Sequence, residues 1–142
     1  MYCNYYEDKN GCIEDIGPEP LVTNIEKMTI QNRNYRNALW TGKHLQITLM
    51  CIGVGECIGL EMHEHVDQFL RIEEGYGLMK MGDCKDNLCF QRKVCDGYGI
   101  VIPAGKWHNL INIGNTPIKL YSIYAPPNHP QGVCQPTKND PE

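Results

Sequence analysis

The stretch from Gly55 to Gly75, GECIGLEMHEHVDQFLRIEEG, decides how the chain is read. It gathers two histidines, a glutamine and several carboxylates into one short run. Taken as a strand over 58–63, a turn at His65-Val66-Asp67 and a second strand opening at Gln68, its side chains alternate faces with period two. Glu61 and His63 then share one face of the first strand, and Gln68 joins them from the second. All three can point into one cavity. A second stretch, Gly97 to Asn112 (GYGIVIPAGKWHNLIN), supplies His108 as a fourth candidate.

Outward from this centre the period stays at two. Residues 35–41, 45–51, 68–73, 78–81, 88–94, 98–102, 107–113 and 117–124 read as strands, separated by turn signals such as Gly82-Asp83, Asp96-Gly97, Pro103-Ala104-Gly105 and Gly114-Asn115. Roughly eight to ten short strands at this spacing are the mark of an all-β sandwich or barrel. A chain of this size can close them as a jelly roll. Leu49, Leu70, Ile72, Ile100, Ile102, Leu110 and Leu120 are the expected core, with Met50, Met62, Met79 and Met81 as filling. Upstream, IEKMTIQN carries Ile25, Met28 and Gln31 at helical spacing behind a Thr23 or Asn24 cap, so a short helix is expected over 24–31. Residues 1–20 read as irregular, wrapped on the body through Tyr2, Tyr5, Tyr6 and Ile13. Pro126-Pro127 and Pro130 end regular structure, and the tail after Gly132 is expected to be loosely attached. The division is therefore an N-terminal segment with a short helix (1–34), a barrel (35–125) and a C-terminal tail (126–142).

Composition bounds the rest. The 142 residues suit one domain with a real core, and the formal net charge is −4. No basic face points to nucleic acid, and no apolar window is long enough for a membrane span. The polar, acidic start MYCNYYEDKNG does not read as a secretory signal, so a cytoplasmic location is expected. Eight cysteines are many, but without a signal and at irregular spacings they read as reduced thiols. No CxxC occurs, and Cys84-x4-Cys89-x5-Cys95 is too loose for a zinc knuckle. Cys51 and Cys57 lie in apolar strands, while Cys3, Cys12 and Cys134 lie near the termini and could meet in space.

The clustered residue types are those that hold a divalent ion. Imidazole and carboxylate suit iron, zinc, manganese and nickel without thiolates. Two histidines and one carboxylate can form a facial triad with open positions. Gln68 can add a neutral amide oxygen, so the expected set for one divalent ion is Glu61, His63, Gln68 and His108. A second register pairs His63 with His65, but it leaves only two residues between His65 and Gln68 and no glycine at the matching distance upstream. In the first register His65 sits in the turn at the cavity mouth, within reach of a substrate.

These spacings resemble the two-part motif of the cupins, G-x5-H-x-H-x4-E-x6-G followed by G-x5-P-x-G-x2-H-x3-N. Here the first part reads Gly55-x5-Glu61-x-His63-x4-Gln68-x6-Gly75, with Glu61 in place of the first histidine and Gln68 in place of the glutamate. The second, Gly97-x5-Pro103-x-Gly105-x2-His108-x3-Asn112, matches at every defined position. The resemblance covers about residues 35 to 125 and looks closest to small bacterial single-domain cupins, sometimes grouped as mannose-6-phosphate-isomerase-like. It implies a jelly-roll β-barrel, or double-stranded β-helix, with the metal inside. It also implies a small-molecule ligand and a homodimer in which strands pair or N-terminal segments swap; the first strand, near Tyr35 to Thr41, carries exposed-type aromatics.

Three classes of function follow. The first is a metal-dependent, isomerase-type enzyme on a small polar, sugar-like or enediol-forming substrate, with His65 or Glu61 moving the proton. With Fe(II), the same open site could instead serve a dioxygenase. The second is a non-enzymatic cupin that binds a small metabolite, and the third a barrel with a vestigial site. The remaining residues have plainer readings: His44 and His129 as structural histidines, Glu73-Glu74 as a solvated hairpin end, Asp67 as a turn former, and Arg71 and Trp107 as facing away from the cavity.

Overall fold

The computed structural model describes residues 11–142. Among the described residues a single helix, α1 (Ile25–Gln31), precedes nine strands: β1 (Arg36–Thr41), β2 (Gln46–Ile52), β3 (Asp67–Glu74), β4 (Tyr76–Gly82), β5 (Phe90–Cys95), β6 (Gly99–Ile102), β7 (Trp107–Asn112), β8 (Ile118–Ala125) and β9 (Cys134–Gln135). The helix begins where expected, because the Asn24 side chain accepts from the Lys27 backbone N–H at 3.0 Å and so satisfies one of the free donors of the first turn.

The strands form two antiparallel sheets, one of six strands in the order β6-β3-β8-β2-β1-β9 and one of three in the order β5-β4-β7. The expected all-β jelly roll with one short helix is the architecture found. The chain passes between the sheets at the β3–β4 turn, where Gly75 has φ 117° and a Cβ would lie 2.8 Å from the Ile118 Cα. Only glycine fits there on both counts.

The strict alternation of β3 and β8 shows why a pattern of period two builds this fold. Gln68, Leu70 and Ile72 are buried along β3, as are Ile118, Leu120, Ser122 and Tyr124 along β8. These residues face the inside, where Met50, Ile52, Leu70, Ile72, Met79, Ile100, Ile102, Leu110, Ile118 and Leu120 pack as one cluster. Leu49 belongs to a second cluster on the outer face of the large sheet, with Leu39 and Met28 of α1, flanked by Ile13, Leu21 and Ile25. The N-terminal segment thus covers the large sheet, and Ile13 is fixed to it by a two-way pair of hydrogen bonds with the Asn37 side chain. Tyr2, Tyr5 and Tyr6, expected to share in this wrapping, and Cys3, expected near Cys12 and Cys134, lie outside the described residues.

Five expectations are corrected. Residues 58–63 are not a strand. Gly59, at φ 99°, breaks the extended run, and the segment is held to β7 by isolated bridges between Cys57 and Ile111 and between Glu61 and His108. The tail after Gly132 is not loose: β9 pairs with β1, and Cys12 and Cys134 form a disulfide. Those two cysteines are therefore not reduced thiols, whereas Cys51, Cys57, Cys84, Cys89 and Cys95 are free. The first strand is not an edge, since β9 covers it. Glu73 is also not solvated: its side chain is largely buried against Arg71, with 3.2 Å between Oε1 and Nε.

Candidate metal centre

The backbone builds the site before the side chains do. Glu61 and His108 exchange both backbone hydrogen bonds, N–H to O at 3.0 Å and 2.9 Å. Residues paired this way project side chains from the same face as neighbours. Ile58 N–H to Leu110 O (3.0 Å) and Asn112 N–H to Glu56 O (2.9 Å) extend the same attachment. Asn112, the last residue of the second motif, anchors the far end: its buried amide donates to the carbonyls of Ile52, Gly53 and Thr116 at 2.9–3.1 Å.

The turn between β6 and β7 places His63. Gly105 N–H donates to the His63 carbonyl at 2.8 Å, and Ala104 N–H donates to Asp67 Oδ1 at 2.9 Å. The proline-glycine turn and the histidine-bearing loop are thus stitched together, with Asp67 acting in the turn as expected.

The result is a three-residue group. One ligand-type atom from each of Glu61, His63 and His108 lies within 4.8 Å of the others. The His63 and His108 rings are 5.3 Å apart, centre to centre. His63 Nε2 stands 3.1 Å from Glu61 Oε2, a hydrogen-bond distance without hydrogen-bond alignment. His108 Nδ1 lies 2.9 Å from the Lys106 carbonyl, which requires a proton on Nδ1 and leaves the Nε2 lone pair free.

Electrostatics hold these groups in the protonation states that a cation needs. Burial alone would raise the Glu61 pKa, but contact with His63 and the charges of His63, Arg36 and His108 bring it below its ordinary value. His108 is pushed down, first by burial, against the opposing pull of the Lys106 carbonyl and of Glu61. Near neutral pH the pair is carboxylate and neutral imidazole.

Gln68 tests the fit independently. It is buried on β3, and its Nε2 donates to Ser122 Oγ at 2.9 Å. Its Oε1 is buried with no hydrogen-bond partner among the described residues. An orphaned buried carbonyl is costly unless something outside the chain takes it, and a hard cation is such a partner. The donor set of two imidazoles, one carboxylate and one amide oxygen fits a divalent first-row ion.

His65 stands apart. Its ring is 86% exposed and faces Glu64 at 3.9 Å, so the register that pairs it with His63 is not the one the fold brings together. His44 is exposed on the loop before β2, and Trp107 is half-buried outside the group.

Sequence reading missed four interior residues. Tyr124, 1% exposed, meets the His63 ring edge-on at 6.0 Å. His129, read as a structural histidine, packs against Tyr124 with its Nε2 3.2 Å from the phenol and its Nδ1 2.7 Å from Glu142 Oε1. Tyr35 reaches the Ile58 carbonyl at 3.3 Å, and burial, the largest influence on it, lifts its phenol to about 12. Arg36 is buried at the start of β1. The inward face of the alternating strands was the available signal for Tyr124 and Arg36; His129 lies beyond β8 and carries no periodic signal.

With fold and site in place, the class of protein is fixed. The profile of the Cupin domain matches residues 48–124, and the chain belongs to the cupin family. It is 63% identical over 135 residues to the uncharacterised protein YrkC of Bacillus subtilis strain 168, covering 95% of this chain and 73% of that one. It is 41% identical over 112 residues to the uncharacterised protein L612 of Acanthamoeba polyphaga mimivirus, covering 78% and 68%. The crystal structure of BH2720 from Bacillus halodurans superposes with a TM-score of 0.88 at 63% identity, over 89% of this chain and 96% of that one. KdgF from Halomonas, at 15% identity and a TM-score of 0.57 over 66% and 78%, shares the fold alone.

Proposed function

We propose that this cupin is a metal-dependent enzyme acting on a small polar substrate, with isomerase-type chemistry through an enediol-forming step. Its metal ligands would be Glu61, His63 and His108, with Gln68 as the fourth. The observation that carries the reading is the convergence of those three ligand-type atoms within 4.8 Å, to which the orphaned Gln68 oxygen on the buried face of β3 adds a fourth acceptor. A divalent ion held there supplies Lewis-acid polarisation of substrate oxygens. The protein's own contribution is a largely apolar barrel core, in which Met50, Leu70, Ile72 and Leu120 pack together. His65 at the exposed turn is a poor proton carrier for this interior, which leaves the task to groups such as Tyr124 that line it. The grouping with mannose-6-phosphate-isomerase-like proteins belongs to the same proposal.

Metal content by mass spectrometry, for the parent and Glu61→Ala, tests the site. Aerobic against anaerobic turnover of candidate enediol-forming substrates then separates isomerase from dioxygenase. A parent that carries no metal and takes none up would end the reading in favour of a vestigial barrel.

Two further expectations stay as proposals. A homodimer is supported by the open edge of β6, where Val101 is 65% exposed, rather than by β1; sedimentation as a monomer at micromolar concentration would remove it. A cytoplasmic location is in tension with the Cys12–Cys134 disulfide, because disulfides persist chiefly in oxidising compartments. Thiol counting on acid-quenched cells decides whether that bridge exists in place.

A further inference from the structure

Arg36 is a buried charge that the metal reading does not use. Its side chain is 6% exposed. Across the sheet it pairs with Met50 on one side and Gln135 on the other, and Met50 belongs to the interior cluster. Cross-strand partners share a face, so Arg36 points inward. The Arg36 charge also acts on the acidity of Glu61, Tyr35, Tyr124 and His129, in each case behind the larger influence of burial.

Only part of the guanidinium is spoken for. Nη1 donates to Gln135 Oε1 at 2.7 Å and lies 3.6 Å from Glu142 Oε1, and the guanidinium carbon stands 5.2 Å from the centre of the Tyr35 ring. These contacts explain a structural role, fastening β9 and the tail to β1. They do not explain Nε, which is buried with no acceptor among the described residues. A charged donor left unmet in the interior is costly, and it is met most strongly by an anion. Formal charges point the same way. Glu61, Arg36 and Glu142 sum to minus one, a divalent ion makes the sum plus one, and a monoanion brings it to zero.

We propose that Arg36 is a ligand-binding residue of this cavity and that the small molecule taken up beside Glu61, His63 and His108 carries a carboxylate received by Arg36 Nε. The proposal rests on the function proposed above and narrows its substrate class to small acids that also carry a hydroxy-carbonyl group: that group toward Glu61, an anionic end toward Arg36.

The test is calorimetric titration of glycolate into the purified full chain, with ethylene glycol as the uncharged probe of similar size. Parent, Arg36→Gln, Arg36→Lys and Glu142→Gln are compared, and metal content is measured on each. Glycolate is expected to bind the parent, to lose at least about tenfold in Arg36→Gln without loss of metal, and to lose less in Arg36→Lys. Ethylene glycol should bind none of them. Glu142→Gln removes the neighbouring negative charge and should tighten glycolate; this variant decides the matter if Arg36→Gln does not fold. No glycolate binding by the parent, equal binding by parent and Arg36→Gln, or no tightening in Glu142→Gln overturns the proposal. Each of these leaves the metal reading standing, which fails separately if the parent holds no metal.

Discussion

Glu61 and His108 face each other as a mutually hydrogen-bonded backbone pair, their two N–H···O contacts measuring 3.0 Å and 2.9 Å. Their side chains are neighbours because the segment before β3 is docked on β7, whatever the side chains do. Removing either side chain should therefore leave the docking in place.

Glu61→Ala is accordingly expected to keep the fold and to lose metal. The variant should melt within a few degrees of the parent, while its affinity for a divalent ion falls by about tenfold to a hundredfold or more. Competition against a chromogenic chelator measures this. Loss of the fold itself would show that the carboxylate, and not the backbone pair, holds the segment.

Gln68 sets the charge of the site. Where Gln68 donates to Ser122 Oγ, a glutamate can instead accept from the Ser122 hydroxyl, so Gln68→Glu should fold. It should also bind a divalent ion at least as tightly, since it adds a second carboxylate to that of Glu61. It should weaken anionic ligands, because the residual positive charge falls to zero. Calorimetry with zinc and then with a carboxylate probe checks both halves; undiminished probe binding would sink the charge argument.

The tail is held to the body by one covalent link. Cys12 and Cys134 are separated by 122 positions, so the bridge closes nearly the whole described chain into a loop. Cys134→Ser is expected to cost about 2–5 kcal/mol, and a reductant should lower the denaturation midpoint of the parent but not of the variant. Urea unfolding with and without reductant reads this directly.

How much of this was legible in the sequence depended on whether the signal was local. The strands that became β2, β3, β7 and β8 showed themselves because Leu49, Leu70, Leu110 and Leu120 each sit in a run whose period matches the pleat. His63 and His108 stood out because glycine and proline at fixed offsets mark the turns that deliver them. Three things were hidden. Gly59, in the left-handed region, breaks what reads as strand 58–63, yet the bridge to β7 still puts Glu61 where alternation placed it. That Cys12 and Cys134 could meet was legible from their places near the termini, but which cysteines bond was not, since no spacing rule reaches across the described chain. Arg36, Tyr124 and His129 come together from β1, β8 and the loop after it, a meeting set by sheet order rather than by any motif.

His129 gives a pH signature away from the candidate ligands. Its pKa is lowered from 6.5, first by burial and then by the Arg36 charge, against the pull of Glu142 and Glu61. Protonation therefore favours the unfolded chain. The stabilisation is fully present above the unfolded value and is lost as the pH falls below it toward the folded value. Urea midpoints measured downward from neutral pH should decline in the parent and decline less in His129→Gln, with a difference of at most about 1.4 kcal/mol per pH unit. Parallel profiles would mean that His129 is solvated in solution.

We propose that Glu61, His63, Gln68 and His108 hold one divalent ion. The most direct measurement is a crystal structure of the purified chain with anomalous data collected at the iron, zinc, manganese and nickel edges. The account predicts one anomalous peak bound by the side chains of Glu61, His63 and His108, with the Gln68 carbonyl oxygen turned to it. A map with no peak there after metal soaking, or a peak held by other residues, would contradict it.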